Sequence, residues 1–172
     1  MTGNGHDLKH RYTFGDFLYW NLMAAVPLLT AGAAIAAAST FWLGAYLLVV
    51  LACILALYRF FCSHCPHYTR GEKTVKCLFM WGVPKFFEPR KGPLKWHEKG
   101  LSLLAGLVLI LFPLYWLLDH PGQLMVYVIA VTVVGLTLRR TECGRCIYVD
   151  CPANRVPAER QAGAGAPGQS VE

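Results

Sequence analysis

Residues 41–58, FWLGAYLLVVLACILALY, form an uncharged apolar run that ends at Arg59, just ahead of the cysteine turn 62–68, CSHCPHY. A run of this length approaches or reaches the roughly 17 to 25 residues that a helix needs to cross a hydrocarbon core. Three more uncharged runs flank it, at 19–38, 101–118 and 121–138. With 55% hydrophobic residues and a mean hydropathy of +0.40 over 172 residues, the chain carries too much continuous apolar sequence for an ordinary soluble domain. The expected fold class is an all-α integral membrane protein: a four-helix transmembrane bundle of two hairpin halves, with a cytoplasmic cysteine-rich cap. The first run follows eighteen polar and aromatic residues and has no clear small-residue cleavage site, so it is expected to stay as a membrane helix.

Charge sets the orientation. All 16 Lys and Arg residues fall in the N-terminal arm, between Arg59 and Lys99, or from Arg139 onward. The short connections at Ser39 and Thr40 and at Asp119 and His120 carry none. Lys- and Arg-rich loops stay in the cytoplasm, which predicts a multi-pass protein of the inner (cytoplasmic) membrane with both termini and both cysteine groups cytoplasmic. The net charge of +6 is then explained by anionic lipid headgroups and calls for no nucleic acid.

This divides the chain into a cytoplasmic arm at 1–18, a first transmembrane hairpin at 19–60, a cytoplasmic loop at 61–100, and a second hairpin at 101–138. A cytoplasmic cysteine segment at 139–156 and a disordered Ala, Gly and Pro-rich tail at 157–172 complete it. The loop interleaves Phe79, Met80, Trp81, Phe86, Phe87 and Trp96 with basic residues and three prolines, a composition suited to lying at the headgroups beneath the bundle. A shift of 81 residues superposes Cys62 and Cys65 on Cys143 and Cys146, Arg59 on Arg140, and Thr40 on Pro121. Two parallel hairpins related by an axis along the membrane normal would put both cysteine pairs on one face.

Seven cysteines on a reducing face argue for metal binding or redox chemistry rather than a disulfide framework. Cys53 lies within an apolar run and reads as a small buried hydrophobe. Cys62 and Cys65 form one Cys-x-x-Cys pair; Cys143 and Cys146 form another, with Cys151 and Pro152 close behind. In each pair two sulfurs can grip one centre, and four thiolates suit a tetrahedral metal or an iron–sulfur cluster. The candidate cofactor and metal ligands are therefore Cys62, Cys65, Cys143, Cys146 and Cys151, with Cys77, His64 and His67 as lesser candidates. His64 and His67 also have a plainer reading as solvated loop residues. The cofactor expected is a 4Fe-4S cluster, with zinc as the alternative; dithiol redox chemistry and soft-metal trafficking also fit paired thiols. Among the four spans no histidine occurs, which removes the usual bis-histidine haem.

Four spans with cysteine motifs after the second and fourth, carried by Cys62, Cys65 and Pro66 and by residues 143–152, resemble the membrane subunits of polyferredoxin-type quinol dehydrogenases found with nitrate reductase systems. Those subunits space the two motif cysteines by three residues and add a ferredoxin domain, whereas here the gap is two residues. The resemblance implies a small membrane subunit of a redox complex, relaying electrons between a soluble cytoplasmic partner and quinone or another membrane subunit. A zinc-stapled scaffold that anchors a soluble enzyme, and a thiol-based redox or metal-trafficking protein, are the alternatives. No nucleophile, phosphate loop or carboxylate pair is evident, so an electron-transfer or anchoring subunit is expected rather than an independent enzyme.

Overall fold

In the computed structural model, residues 9, 11–69, 73–90, 92, 94–148, 151 and 154–157 are described. The first eight residues of the arm, Pro152 and the tail from 158 lie outside them. Four helical segments are long and apolar enough to cross a membrane: Phe14–Ala38, Thr40–His64, Trp96–Leu117 and Pro121–Thr141. The elements in order are α1 (Phe14–Ala38), α2 (Thr40–Phe60), a 3-10 turn (Cys62–His64), α3 (Pro66–Thr69), β1 (Thr74–Lys76), β2 (Trp81–Pro84), α4 (Trp96–Leu111), α5 (Leu114–Leu117) and α6 (Pro121–Thr141).

Two helices start earlier than the apolar runs do, and capping explains both. Thr13 Oγ1 accepts from the Asp16 N–H at 3.2 Å, while Asp16 accepts from the Thr13 N–H at 2.8 Å. This reciprocal box satisfies two orphan donors and carries α1 back to Phe14. At α4, Glu98 accepts from the Lys95 N–H at 3.0 Å, and the helix begins at Trp96 rather than Leu101. The short antiparallel β1–β2 hairpin, with Thr74 opposite Pro84 and Val75 opposite Val83, is a departure from the all-helical expectation. Val75 and Val83 favour extended backbone, and Gly82, at φ 73°, takes a left-handed conformation that suits glycine.

Helix α1 packs against α6 and α2, and α2 packs against α4. The central core is Ala31, Ala34, Ile35, Tyr46, Leu117 and Tyr127. Small residues let the first two helices approach closely; a Cβ on Gly32 would stand 3.9 Å from Leu43. Pro113 has no N–H to continue the helical ladder, and α4 stops at Leu111. Near this break the Tyr127 hydroxyl donates to the Ile110 carbonyl at 2.9 Å, so a polar group between the helices is paired within the protein, as a membrane interior demands. The outward surfaces of the helices carry large apolar side chains such as Leu29, Phe41, Leu48 and Tyr115, each more than two-thirds exposed.

Candidate metal centre

The 81-residue offset of the sequence reappears in backbone geometry. Helices α2 and α6 are both 21 residues long, and their bounds differ by that offset at each end. The Phe61 N–H donates to Leu57 O at 2.9 Å and the Glu142 N–H to Leu138 O at 3.0 Å. The next turn repeats as well, with the His64 N–H on Phe61 O at 3.2 Å and the Arg145 N–H on Glu142 O at 3.1 Å. The repetition then reaches sulfur. The Tyr148 N–H donates to Cys146 Sγ at 3.4 Å, an arrangement that favours thiolate over thiol, and the His67 amide acts on Cys65 in the same direction.

The thiols are close enough to oppose one another's ionisation. Burial pushes Cys65 well above the ordinary thiol range, the His67 amide pulls it back, and Cys77, Cys146 and Cys62 raise it further. Cys146 is raised by burial, eased by the Tyr148 amide, and raised again by Cys151, Cys143 and Cys77. Cys143 is raised by burial and then by Cys151 and Glu142, while Arg139 opposes the shift. Cys77 packs with Cys62 and Cys65 against one buried cluster, and Cys146, from the other hairpin, acts on the ionisation of Cys65. Cys53 is buried within α2, away from the turns. Among the described residues, no three His, Cys, Asp or Glu side chains are disposed to hold a single metal ion.

Aromatic side chains enclose the group. Tyr58, Tyr68 and Val75 form a buried cluster against which Cys62, Cys65, Cys77 and Phe87 pack. Tyr68 donates to Phe87 O at 2.6 Å and accepts from the Phe87 N–H at 3.1 Å, and Tyr58 donates to Pro84 O at 2.8 Å. These bonds fasten the loop over the first cysteine turn. Tyr12, Trp20 and Leu78 form a second cluster, which also touches Cys77. Burial and then Cys146, Glu142, Cys77 and Cys65 push the Tyr12 hydroxyl upward, so it stays a neutral phenol at the edge of the thiols.

The second turn is fastened differently. The Lys9 N–H donates to Arg145 O at 2.7 Å, and its Nζ reaches Glu142 at 3.2 Å and Asp16 at 3.1 Å. From the other side, the Arg155 N–H donates to Cys143 O at 3.1 Å, and Asn154 Nδ2 donates to Tyr148 O at 2.7 Å.

The reading of His64 and His67 as solvated loop residues is corrected. The His67 residue is 7% exposed, with its ring 4.9 Å from that of Tyr12. The His64 side chain is 6% exposed and lies 3.6 Å from Glu98 Oε2 through Nε2 and 3.3 Å from Ser63 Oγ through Nδ1. Ser63 donates its own proton to Arg59 O at 2.7 Å, and Arg90 donates to Glu98 Oε1 at 2.7 Å. Ser63 and His64 lie in the 3-10 turn and His67 in α3, and it is their partners from elsewhere in the chain, Glu98 and Tyr12, that cover the two histidines. Glu98, buried at 2% exposure, had no place in the sequence-derived site. Its signal was positional: a carboxylate in the first turn of a membrane helix is expensive unless it is paired.

The chain matches no protein-family model, no curated protein and no solved structure at a significant level.

Proposed function

We propose that this chain is a small membrane subunit of a redox complex, a four-span bundle whose cysteine-rich cap holds an iron–sulfur cluster at the cytoplasmic membrane face. One observation carries the reading. Cys62, Cys65 and Cys77 pack against one buried aromatic cluster, and the turn of Cys146 is brought to the same end of the bundle by Lys9, which donates to Arg145 O at 2.7 Å and sets its ammonium 4.8 Å from the Tyr12 ring that meets His67 at 4.9 Å. Hydrogen bonds to ligand sulfur and exclusion of water are the levers by which a protein sets a cluster's potential.

The donor set suits such a group. A cluster takes one thiolate on each of four irons, and the cysteines of two Cys-x-x-Cys pairs are donors of that kind. Their mutual repulsion in a partly dry site is of the kind that a cationic centre relieves. When bound, the cluster supplies one-electron transfer. The protein's own part is to hold the sulfurs, to aim the Tyr148 amide at Cys146, and to keep water out with Tyr12, Tyr58 and Tyr68. Arg139, Arg140 and Arg145, exposed around the second turn, offer a basic surface to anionic lipid or to an acidic soluble partner. Quinone or another membrane subunit would take the electron on the membrane side, as the likeness to quinol dehydrogenase subunits implies.

Anaerobic purification followed by visible absorption, iron and acid-labile sulfide analysis tests this. A brown protein with iron and sulfide is expected. Colourless protein carrying stoichiometric zinc would replace the relay with a stapled scaffold, and metal-free protein with reversibly changing thiol counts would replace it with dithiol chemistry.

A further inference from the structure

Helix α4 leaves one stripe of side chains uncovered from its middle to its first turn. Leu103, Leu107 and Ile110 are 67%, 44% and 41% exposed, and their spacing of three to four residues puts them on one face of the helix. In a span this apolar, hydrocarbon is what covers such a face. The stripe continues toward the cytoplasm through Lys99, exposed, to Trp96, which is 85% exposed. Trp96 lies about 10 Å along the axis from Leu103, which sets its ring in the headgroup layer, where tryptophan is enriched. Lys95 stands beside it and is exposed as well. We propose that Phe86, Lys95, Trp96 and Lys99 form a docking face for anionic phospholipid of the cytoplasmic leaflet, with the two ammonium groups on headgroup phosphate and the two rings wedged at the acyl boundary.

Phe86 reaches this face from the loop. It is 71% exposed, and the backbone on both sides of it is pinned: Pro84 O accepts from Tyr58 at 2.8 Å, and Phe87 exchanges two hydrogen bonds with Tyr68. Its ring stands 6.5 Å from that of Tyr58, near the cytoplasmic end of α2, the helix that packs against α4. A ring fixed outward beside two membrane helices gains by entering the boundary between headgroups and acyl chains. The start of α4 is fixed in the same way. Glu98 accepts from the Lys95 N–H at 3.0 Å and from Arg90 at 2.7 Å, and the Arg90 N–H donates to Ser63 O at 2.9 Å. Arg90 thus commits its charge to the buried Glu98 and leaves Lys95 and Lys99 as the cations turned outward. The exposed Glu88 of the loop opposes an anion, and the two lysines outnumber it. Charge decides the occupant: zwitterionic lipid would satisfy the rings alone, whereas two lysines beside an interfacial tryptophan select a negative headgroup.

This docking face does not depend on a metal at the cysteines, and it is tested on the full chain. Wild type and Trp96→Phe are each placed in nanodiscs of phosphatidylcholine with a minor share of phosphatidylglycerol, with bromine on the acyl chains of one lipid or the other. The fluorescence difference between the two proteins isolates Trp96. Mole for mole, brominated phosphatidylglycerol is expected to quench Trp96 roughly tenfold more effectively than brominated phosphatidylcholine, because two lysines at an anionic headgroup enrich it by about that factor or more. Changing Lys95→Gln together with Lys99→Gln should abolish the preference, and Arg139→Gln together with Arg140→Gln should keep it. All of these side chains are exposed, so the variants keep the fold, and the wild-type comparison of the two lipids stands by itself. A Trp96 that neither lipid quenches overturns the proposal and leaves the face to an acidic protein partner. Equal quenching by the two lipids in wild type overturns it as well, since the face then selects no charge. A preference lost as fully in the arginine variant as in the lysine variant would assign it to net charge rather than to this face, which also overturns the proposal.

Discussion

The two cysteine turns share a backbone path and differ in what surrounds them. After α2 the chain continues for more than thirty residues that fold over the first turn, burying Ser63, His67 and Glu98. After α6 the second turn is held by Lys9 on one side and by Asn154 and Arg155 on the other. The same local motif thus sits in a dry environment once and in a partly wet one once. The difference teaches that the turn itself is set by helix ending and cysteine spacing, while its chemistry is set by what covers it.

The acidic residues beside the two turns give the sharpest contrast. Glu98, with a side chain 3% exposed, pairs with Arg90 at 2.7 Å and faces His64. Glu142, with a side chain 12% exposed, meets Lys9, whose side chain is 26% exposed. The Glu98 carboxylate is enclosed while its partner Arg90 has a side chain 36% exposed, so the loss in Glu98→Gln is that of the bonds it accepts from Arg90 and the Lys95 N–H, about 1–3 kcal/mol. The looser Lys9–Glu142 pair contributes about 0–1 kcal/mol. Glu98→Gln is therefore expected to lower the melting temperature in detergent more than Glu142→Gln does. Equal losses from the two substitutions would mean that the halves are covered alike, and the contrast between them would fail.

The lid over the first turn supplies the intermediate effect. Tyr68 is 1% exposed, and its hydroxyl both donates to and accepts from the backbone of Phe87. Tyr68→Phe keeps the ring and leaves two backbone groups of Phe87 short of a partner, at a cost of about 1–3 kcal/mol. Hydrogen exchange should rise at the Phe87 amide while exchange at the second turn stays as it was. A rise spread evenly over both turns would show that they unfold as one unit.

Much of this was legible beforehand, for identifiable reasons. Four long helices follow from apolar runs that no soluble fold needs. The parallel between α2 and α6 was visible in the 81-residue offset because a helix ending in a basic residue and a cysteine pair leaves a regular trace. The inward position of His64 and His67 was not visible. Burial of a polar side chain depends on partners that lie far away in sequence: Glu98 for one, Tyr12 for the other. The placement of Cys77 escaped for the same reason. An isolated cysteine carries no spacing signal, and the hairpin that turns it inward, with Val75 and Gly82, is too short to stand out from loop composition.

The smallest expected effect concerns the protons on the thiols of metal-free protein. Cys65, Cys143 and Cys146 all have their ionisation pushed above the ordinary range, first by burial. A group whose pKa is raised on folding holds its proton more tightly in the native state, so its stabilising effect is complete below the unfolded value and falls away as pH rises above it. With an unfolded thiol near 8.5, each such group removes stability as pH rises from 8 to 9, most for Cys65, which is raised furthest. Metal-free protein should therefore melt progressively lower across that interval, and Cys65→Ala should flatten the slope more than Cys143→Ala, because Cys65 is the thiol more deeply enclosed. A bound centre reverses the sign, since it takes the sulfurs as thiolates and binds more tightly as protons leave. Melting curves at pH 8 and 9, with and without iron, would reveal that reversal; identical slopes in the two forms would mean that these sulfurs carry no metal.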